Sequence, residues 1–393
     1  MKTKLKLILL SLFLVFYSCS KHVNPNEFIL TGEFIGENTK ELILTYNDLD
    51  NNTINDTIPL INGKFISKGF INEPTNGYLK GNVKSRGTSD PNYTVLYLEP
   101  KTMSIKLSEG KFKEAQIIGS ITQREYENLS LQTSPLYEQL KAINKKGKTA
   151  IEKQQNSGDN SFISNEIKEI KNQYTTTTDE IKRIRLTFIK ENPNSYLSAH
   201  WLNFYRSRIP LDSTKLYYSN LSPRIQKSRK ALKVKYEIEL EEKSMIGQPV
   251  PKFFTTDIKG NEFSLENYRG KYILLDFWAG WCVPCIKTLP ELKQLYEKYH
   301  SKGLEIVSLS IDKNTESWRK AVEKNEIKRW NHIYIGKENT KADNISKSFN
   351  FNAIPGFILI NKEGIIDGRY GGADATNKVE FSDLEKRLEE IFK

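Results

Sequence analysis

The chain has 393 residues, more than a single hydrophobic core usually supports, so two or three domains are expected. With 38% apolar and 27% charged residues the composition is that of a globular protein. The net charge of +11 falls to about +8 once Lys2, Lys4 and Lys6 are set aside, 56 Lys and Arg against 48 Asp and Glu; many of the remaining lysines sit in helical patterns between 141 and 243, and no nucleic-acid partner is expected.

In chain order, residues 1–18 carry the three lysines and then an apolar stretch from Leu7 to Tyr17 that ends at Ser18-Cys19. The stretch is shorter than the roughly 20 residues needed to span a bilayer, so a cleaved secretory signal is expected over a permanent span. Phe16-Tyr17-Ser18-Cys19 resembles a bacterial lipoprotein signal, with Phe16 in place of the commoner Leu. The resemblance implies a lipidated Cys19 and a chain anchored to the membrane of the bacterial cell envelope, facing the periplasm, with Ser20 slightly favouring the outer membrane. An ordinary signal peptide with an incidental cysteine is the alternative reading. The chain has three cysteines, and a lipidated Cys19 leaves only Cys282 and Cys285 in the folded body. A single close pair in an oxidising compartment, where cysteines commonly serve as staples, points to redox chemistry.

Residues 28–119 show short alternating runs, FILTGEF, ELILTY, KFISKGF, TVLYLEP and SIKL, separated by Gly, Asn, Asp and Pro, and predict a β-rich domain. The segments NDTIPLINGKFISKGFINEP (55–74) and YLEPKTMSIKL (97–107) resemble the amino-terminal β domain of many Bacteroidetes thioredoxin-like lipoproteins. Without a His, Cys or paired-acid cluster, this domain reads as a spacer or assembly surface. Residues 120–244 turn helical and form a connector, with Leu129, Leu136, Leu140 and Ile143 in one stretch, Ile167, Ile170 and Tyr174 in another, and a break at Gly158-Asp159-Asn160. Asn-Pro-Asn-Ser (192–195) precedes an aromatic-rich helix in which His200 reads as a packed or surface histidine.

Residues 245–393 predict a hairpin, then the buried strand LLDFWAG (274–280), a helix from Val283 to His300, strand LEIVSLSI (304–311), helices Glu316–Glu326 and Ala342–Phe349, strand FILIN (357–361), a turn at Lys362-Glu363-Gly364, strand IIDGRY and helix Phe381–Phe392. The alternation implies an α/β sheet with helices on both faces. Cys282 and Cys285 fall at a strand-to-helix junction, where free backbone N–H groups and the helix dipole favour a thiolate, so Cys282 is expected to be unusually acidic and exposed, and Cys285, one turn in, shielded. Pro284 suits the first turn, where its missing N–H has no helical partner to lose.

The segment LLDFWAGWCVPCIKTLPEL together with AIPGFILIN resembles the thioredoxin fold in its bacterial TlpA and ResA branch, over about 150 residues. The fold class implied is an α/β thioredoxin-like carboxy-terminal domain preceded by a β-rich domain and a helical connector. The resemblance makes Cys282 the attacking and Cys285 the resolving cysteine of a redox-active disulfide needing no other cofactor. It makes Asp276 the buried acid that assists proton transfer, with a surface-facing or merely structural acid as the alternative. It makes Pro355 a cis-proline facing the dithiol and exposing the backbone of Ile354 to an extended substrate, with a plain trans turn proline as the alternative. Gly356 departs from the Thr often found after that proline, and the Glu that often follows it in cytochrome c maturation relatives is absent, which weakens a specialised role there. Trp278 and Trp281 either frame the site or pack in the core. Half of a zinc site would need two more ligands, and His22, His200, His300 and His332 show no such pairing, so no metal is expected.

The expected activity is that of an envelope thiol:disulfide oxidoreductase that exchanges two electrons with protein dithiols and disulfides, in net reduction, fed by a membrane thiol-electron donor. Two other readings stand beside it. A thiol peroxidase would require Pro-x-x-x-Thr-x-x-Cys, where this chain has Phe277-Trp278-Ala279-Gly280-Trp281-Cys282. An envelope binding protein would act through its first 240 residues with an accessory thioredoxin domain.

Overall fold

The computed structural model describes residues 24–85, 89–156, 161–336, 345–351, 353–371 and 381–393. Cys19 with the expected signal, and the Gly158-Asp159-Asn160 break, lie outside the described residues. Among the described residues no helix is long and apolar enough to cross a membrane. Backbone contacts divide the chain into two compact units, one ending at Asn128 and one starting at Leu129.

The first unit holds β1 (Glu27–Ile35), β2 (Glu41–Asn47), β3 (Thr53–Pro59), β4 (Lys64–Phe70), β5 (Thr75–Lys80), β6 (Tyr93–Leu98), β7 (Thr102–Ser108) and β8 (Gln116–Ile118). They form two four-stranded sheets, ordered β4-β1-β7-β8 and β3-β2-β5-β6. Alternate residues of each, among them Phe28, Leu30, Leu42, Leu44, Leu79, Leu96, Met103 and Ile105, share one core, as a period of two along each strand requires. The β-rich character expected from the alternating runs is present, and β3, β5 and β8 add to the runs named above. The unit also contains the first turns of α1 (Ile121–Asn156). Glu99, just past β6, accepts the Thr122 N–H at 2.7 Å and the Ser120 hydroxyl at 3.0 Å, tying that helix start to the sheet.

The second unit continues through α2 (Ser161–Glu191), α3 (Tyr196–Tyr205), α4 (Leu211–Asn220), α5 (Pro223–Gln226) and α6 (Arg229–Lys243). Helix α3 packs against both α2 and α6, and Leu197 and Leu202 of α3, Ile189 of α2 and Val234 of α6 are buried. Its start is capped by Ser195, whose hydroxyl accepts the Leu197 N–H at 3.1 Å. The chain then enters a hairpin of β9 (Phe254–Thr256) and β10 (Glu262–Ser264) and the α/β region: β11 (Tyr272–Trp278), α7 (Val283–Tyr299), β12 (Leu304–Ser310), α8 (Thr315–Lys324), β13 (Asn331–Tyr334), α9 (Ile345–Ser348), β14 (Gly356–Ile360), β15 (Ile366–Gly371) and α10 (Phe381–Ile391).

These last five strands form one sheet ordered β13-β12-β11-β14-β15, with β13, β12 and β11 parallel and β14 antiparallel to both of its neighbours, β11 and β15. Its two faces are covered unequally. Leu274 and Trp278 of β11 point to the face packed by Leu289 and Leu292 of α7, Trp318 and Val322 of α8, and Leu384 and Leu388 of α10. Ile273, Leu275 and Phe277 point to the other face, covered by Phe253 and Phe263 of the hairpin and by Ile345 and Phe349 at α9. Helices do lie on both faces, as expected; among the described residues α9 packs on the second together with the hairpin, while residues 342–344 of the expected helix Ala342–Phe349 lie outside the described residues. Every residue of β12 is buried, as a central parallel strand requires.

Candidate active site

Strand β11 ends at Trp278, and four residues carry the chain to α7. Cys282 is the N-cap of that helix, in an extended conformation, and its Sγ accepts the Cys285 N–H at 3.2 Å. The two cysteines are joined by a disulfide, with Cα atoms 5.2 Å apart. Both are shielded, Cys282 at 5% exposure and Cys285 at 1%. The expected exposure of Cys282 is therefore not seen, because its sulfur turns inward over the first turn of α7 to reach its partner. What faces solvent is the flanking pair Trp281 and Val283, at 62% and 64%. Pro284 occupies the first turn of α7. Beyond it Cys285, Leu289, Leu292, Leu295 and Tyr299 recur at helical spacing and bury the inner face.

The loop before Cys282 is clamped. The Asp312 carboxylate, 2% exposed, accepts the Gly280 N–H through both oxygens at 3.1 and 3.0 Å and the Ser310 hydroxyl at 2.7 Å. Gly280 is required there because a Cβ would lie 2.5 Å from the Cβ of Ala321.

Asp276 is 1% exposed. It alternates with Leu274 and Trp278, so it faces α7 and not the hairpin, which removes the surface-facing alternative. Burial raises its pKa from 3.8 to about 7, even though the Ser308 hydroxyl, donating to Oδ2 at 2.7 Å, favours the charged form. Ser308 sits opposite Asp276 on β12 and accepts the indole N–H of Trp330 at 2.9 Å. The group can hold or release a proton near neutral pH.

The Ile354–Pro355 bond is cis, and both residues are half-buried. The loop enters β14 at Gly356, which pairs with Phe277, so the cis-proline arrives at the end of β11 from which the Cys282 loop departs. This is the carboxyl end of the parallel strands β11 and β12, where open α/β sheets place their ligands. Gly356, the departure from Thr noted above, has a steric cause: a Cβ there would fall 1.6 Å from the ring of Phe351, which stacks on Phe277 with centroids 4.3 Å apart. Arg369 on β15 donates to the carbonyls of Phe349 and of Ser244, both at 2.9 Å, and so links the end of α6 to the segment that leads into this loop.

Of the remaining candidates, Trp278 is fully buried and belongs to the core, whereas Trp281 stands at the site's rim. His200 is half-buried in α3 against Trp201, away from the dithiol in the helical region, and burial with Lys230 and Arg185 lowers its pKa to about 4. Among the described residues no cluster of three or more His, Cys, Asp or Glu is placed to hold a metal. Sequence reasoning missed Ser308, Trp330 and Asp312. The signal for Ser308 was a polar residue in the apolar run LEIVSLSI, in register to share a face with the acid of the neighbouring strand.

Comparison with known proteins finds matches in two parts of the chain. A family model described as thioredoxin-like matches residues 270–366, and one described as a domain of unknown function, DUF4369, matches residues 28–126. The thiol-disulfide oxidoreductase ResA of Bacillus thuringiensis subsp. konkukian is 33% identical over 140 residues, 36% of this chain and 78% of that protein. The ResA of Geobacillus kaustophilus is 31% identical over 146 residues, 37% of this chain and 78% of that protein. Among solved structures, the thioredoxin domain of a thiol-disulfide oxidoreductase from Bacteroides vulgatus is 30% identical, covering 38% of this chain and 99% of that one with a TM-score of 0.33.

Proposed function

The chain belongs, through its carboxy-terminal region, to the ResA family of thiol-disulfide oxidoreductases, and from that premise we propose that Cys282 and Cys285 exchange two electrons with protein substrates through a mixed disulfide. The observation that carries the reading is the bonded pair at the tip of α7, with a backbone N–H on the leading sulfur and a buried acid on the face below. In the reducing direction the Cys282 thiolate attacks a substrate disulfide. One substrate sulfur leaves as a thiolate and takes a proton, while the other stays bonded to Cys282. The Cys285 thiol then gives its proton to the Asp276 carboxylate and attacks the Cys282 sulfur, closing the enzyme disulfide and releasing the second substrate thiolate, which is protonated in turn. The substrate gains the two electrons of the cysteine pair and takes two protons from solvent, which recovers one from Cys282 as it ionises and one from Asp276 as its carboxylate is restored.

The α7 amides favour the thiolate of Cys282, since the Cys285 N–H already points at its sulfur. Pro284 stiffens the turn that holds this geometry. Trp281 and the backbone at Ile354–Pro355 form the surface on which an extended substrate strand is held. Net reduction is supported by the family resemblance and requires a membrane thiol-electron donor to restore the dithiol. The location proposed is the bacterial envelope, facing the periplasm through a lipid on Cys19 and with the outer membrane slightly favoured, supported by the Lys2, Lys4, Lys6, Leu7–Tyr17 and Ser18-Cys19 pattern.

The test is trapping. Cys285→Ala should hold substrates on Cys282 as mixed disulfides identifiable by mass spectrometry, the intact chain should reduce insulin, and Cys282→Ser should do neither. Failure of the intact chain on insulin together with an empty Cys285→Ala trap would overturn the reading, and a reduction potential near that of a strong oxidant would reverse its direction.

A further inference from the structure

A hydroxyl has one proton to give, and the indole N–H of Trp330 can only donate. Trp330 Nε1 lies 2.9 Å from Ser308 Oγ, so the hydroxyl oxygen is the acceptor in that contact and its own proton is left for Asp276 Oδ2 at 2.7 Å. All three side chains are buried, Ser308 completely, Asp276 at 1% exposure and Trp330 at 6%. Their order is fixed by the sheet, since Asp276 and Ser308 are cross-strand partners and Trp330 immediately precedes β13, which pairs with β12. From this geometry we infer that Ser308, oriented by Trp330, is a positioning residue that keeps the buried acid available as a proton acceptor by committing a hydrogen bond to its carboxylate form. The inference deepens the reading above and rests on Asp276 taking the Cys285 proton.

The direction follows from charge. A bond to a carboxylate is about twice as strong as one to a neutral carboxyl, so the Ser308 proton offsets part of what burial does to the acid. Facing Asp276 or sharing its packed layer are Cys282 and Cys285 from α7, Ser310 from β12, His332 and Tyr334 from β13, Tyr370 from β15 and Phe357 as its partner on β14. The buried faces of α8 and α10 offer Trp318, Leu384 and Leu388. Burial holds the pKa of His332 at about 4, against the pull of its bond to the Ile327 carbonyl, so it is neutral at pH 7. Among the described residues Ser308 is therefore the side chain that donates a hydrogen bond to the carboxylate in this layer, where a lysine or arginine would otherwise serve.

The experiment is a titration of the Asp276 carboxyl by NMR in the full chain labelled with 13C-aspartate, the resonance assigned by its loss in Asp276→Asn, paired with the pH profile of insulin reduction. In Ser308→Ala the Asp276 midpoint should rise by about one pH unit, a tenfold tighter hold on its proton, and the rate profile should move to higher pH by the same amount. Trp330→Phe leaves the hydroxyl in place and frees its direction, so a smaller shift of the same sign is expected. That variant keeps the test decisive if Ser308→Ala folds poorly. An unchanged or lowered midpoint in these variants overturns the inference. A pH profile of insulin reduction unaltered in Asp276→Asn would overturn the reading beneath it, and with it the catalytic meaning of Ser308.

Discussion

The burial of Asp276 has a consequence for stability that can be measured apart from catalysis. Its pKa is 3.8 in a solvated chain and about 7 in the fold, with burial the larger cause and the Ser308 bond opposing it. Below pH about 4 both states hold the proton and the acid contributes no difference. Between about 4 and about 7 the unfolded chain has released its proton while the folded one retains it, so the folded state binds more protons and stability falls as pH rises. Above pH about 7 the full penalty is in place. A shift of about three units at 1.36 kcal/mol per unit amounts to about 4 kcal/mol. Asp276→Asn has nearly the same shape and no ionisation to suppress, so it should match the native protein near pH 4 and exceed it by about 4 kcal/mol at pH 8. Guanidinium unfolding of the oxidised full chain at pH 4, 6 and 8, followed by tryptophan fluorescence, reports this region, since Trp278, Trp281, Trp318 and Trp330 all lie in it and only Trp201 lies elsewhere. A gap between variant and native protein that stays constant across these pH values would refute the argument, and so would an Asn variant less stable than the native chain at pH 8.

The clamp on the Cys282 loop predicts that Asp312→Ala, which strands the Gly280 N–H and the Ser310 hydroxyl, lowers stability by about 2 kcal/mol; it should also slow mixed-disulfide formation in stopped-flow with a model disulfide, more than Asp312→Asn, which keeps one acceptor oxygen. Gly356→Ala forces the Phe351 ring off Phe277, losing a stacked pair and overpacking the loop, for about 1–3 kcal/mol by denaturant unfolding; a raised KM for insulin should accompany it, because the displaced ring sits beside the cis-proline loop.

The carboxy-terminal sheet was legible because its strands are dense in Leu, Ile, Val and Phe and are punctuated by turns, and helix α7 because Cys285, Leu289, Leu292 and Leu295 repeat at helical spacing above a proline in the first turn. What escaped has physical reasons. Strand β3, TINDTIP, buries only Ile58, so its polar face offers no alternation to read. Strand β5 carries Asn76-Gly77, which reads as a turn signal; in the sheet the glycine lies close under Leu98 and Leu44, whose side chains come within 3.3 and 3.4 Å of where its Cβ would be. Strand β13, NHIY, is four residues long with a histidine inside, and its burial depends on distant partners: β12, the hairpin strand β9 and the aromatic rings of Trp278, Trp318 and Trp330.

The site divides along the same line. Cys282, Cys285, Pro284 and Pro355 announce themselves because backbone conformation or bond chemistry restricts which residues serve at those positions. Asp276 was visible as an acid in an apolar strand, but which face it occupied depended on the register of a sheet that the sequence does not spell out. Ser308 and Asp312 act through that register: one lies across from Asp276 on the next strand, the other reaches back 32 positions to hold the Gly280 N–H. Neither has a local pattern to betray it, since Ser-Leu-Ser-Ile-Asp reads equally well as a strand running out into a loop. Ser308 and Ser310, buried two positions apart at the end of a central parallel strand and followed by the buried Asp312, are the feature that deserved the question, because burying a hydroxyl or a carboxyl is unfavourable unless a partner waits. Here the partners were the acid and the loop amide on which the proposed exchange depends.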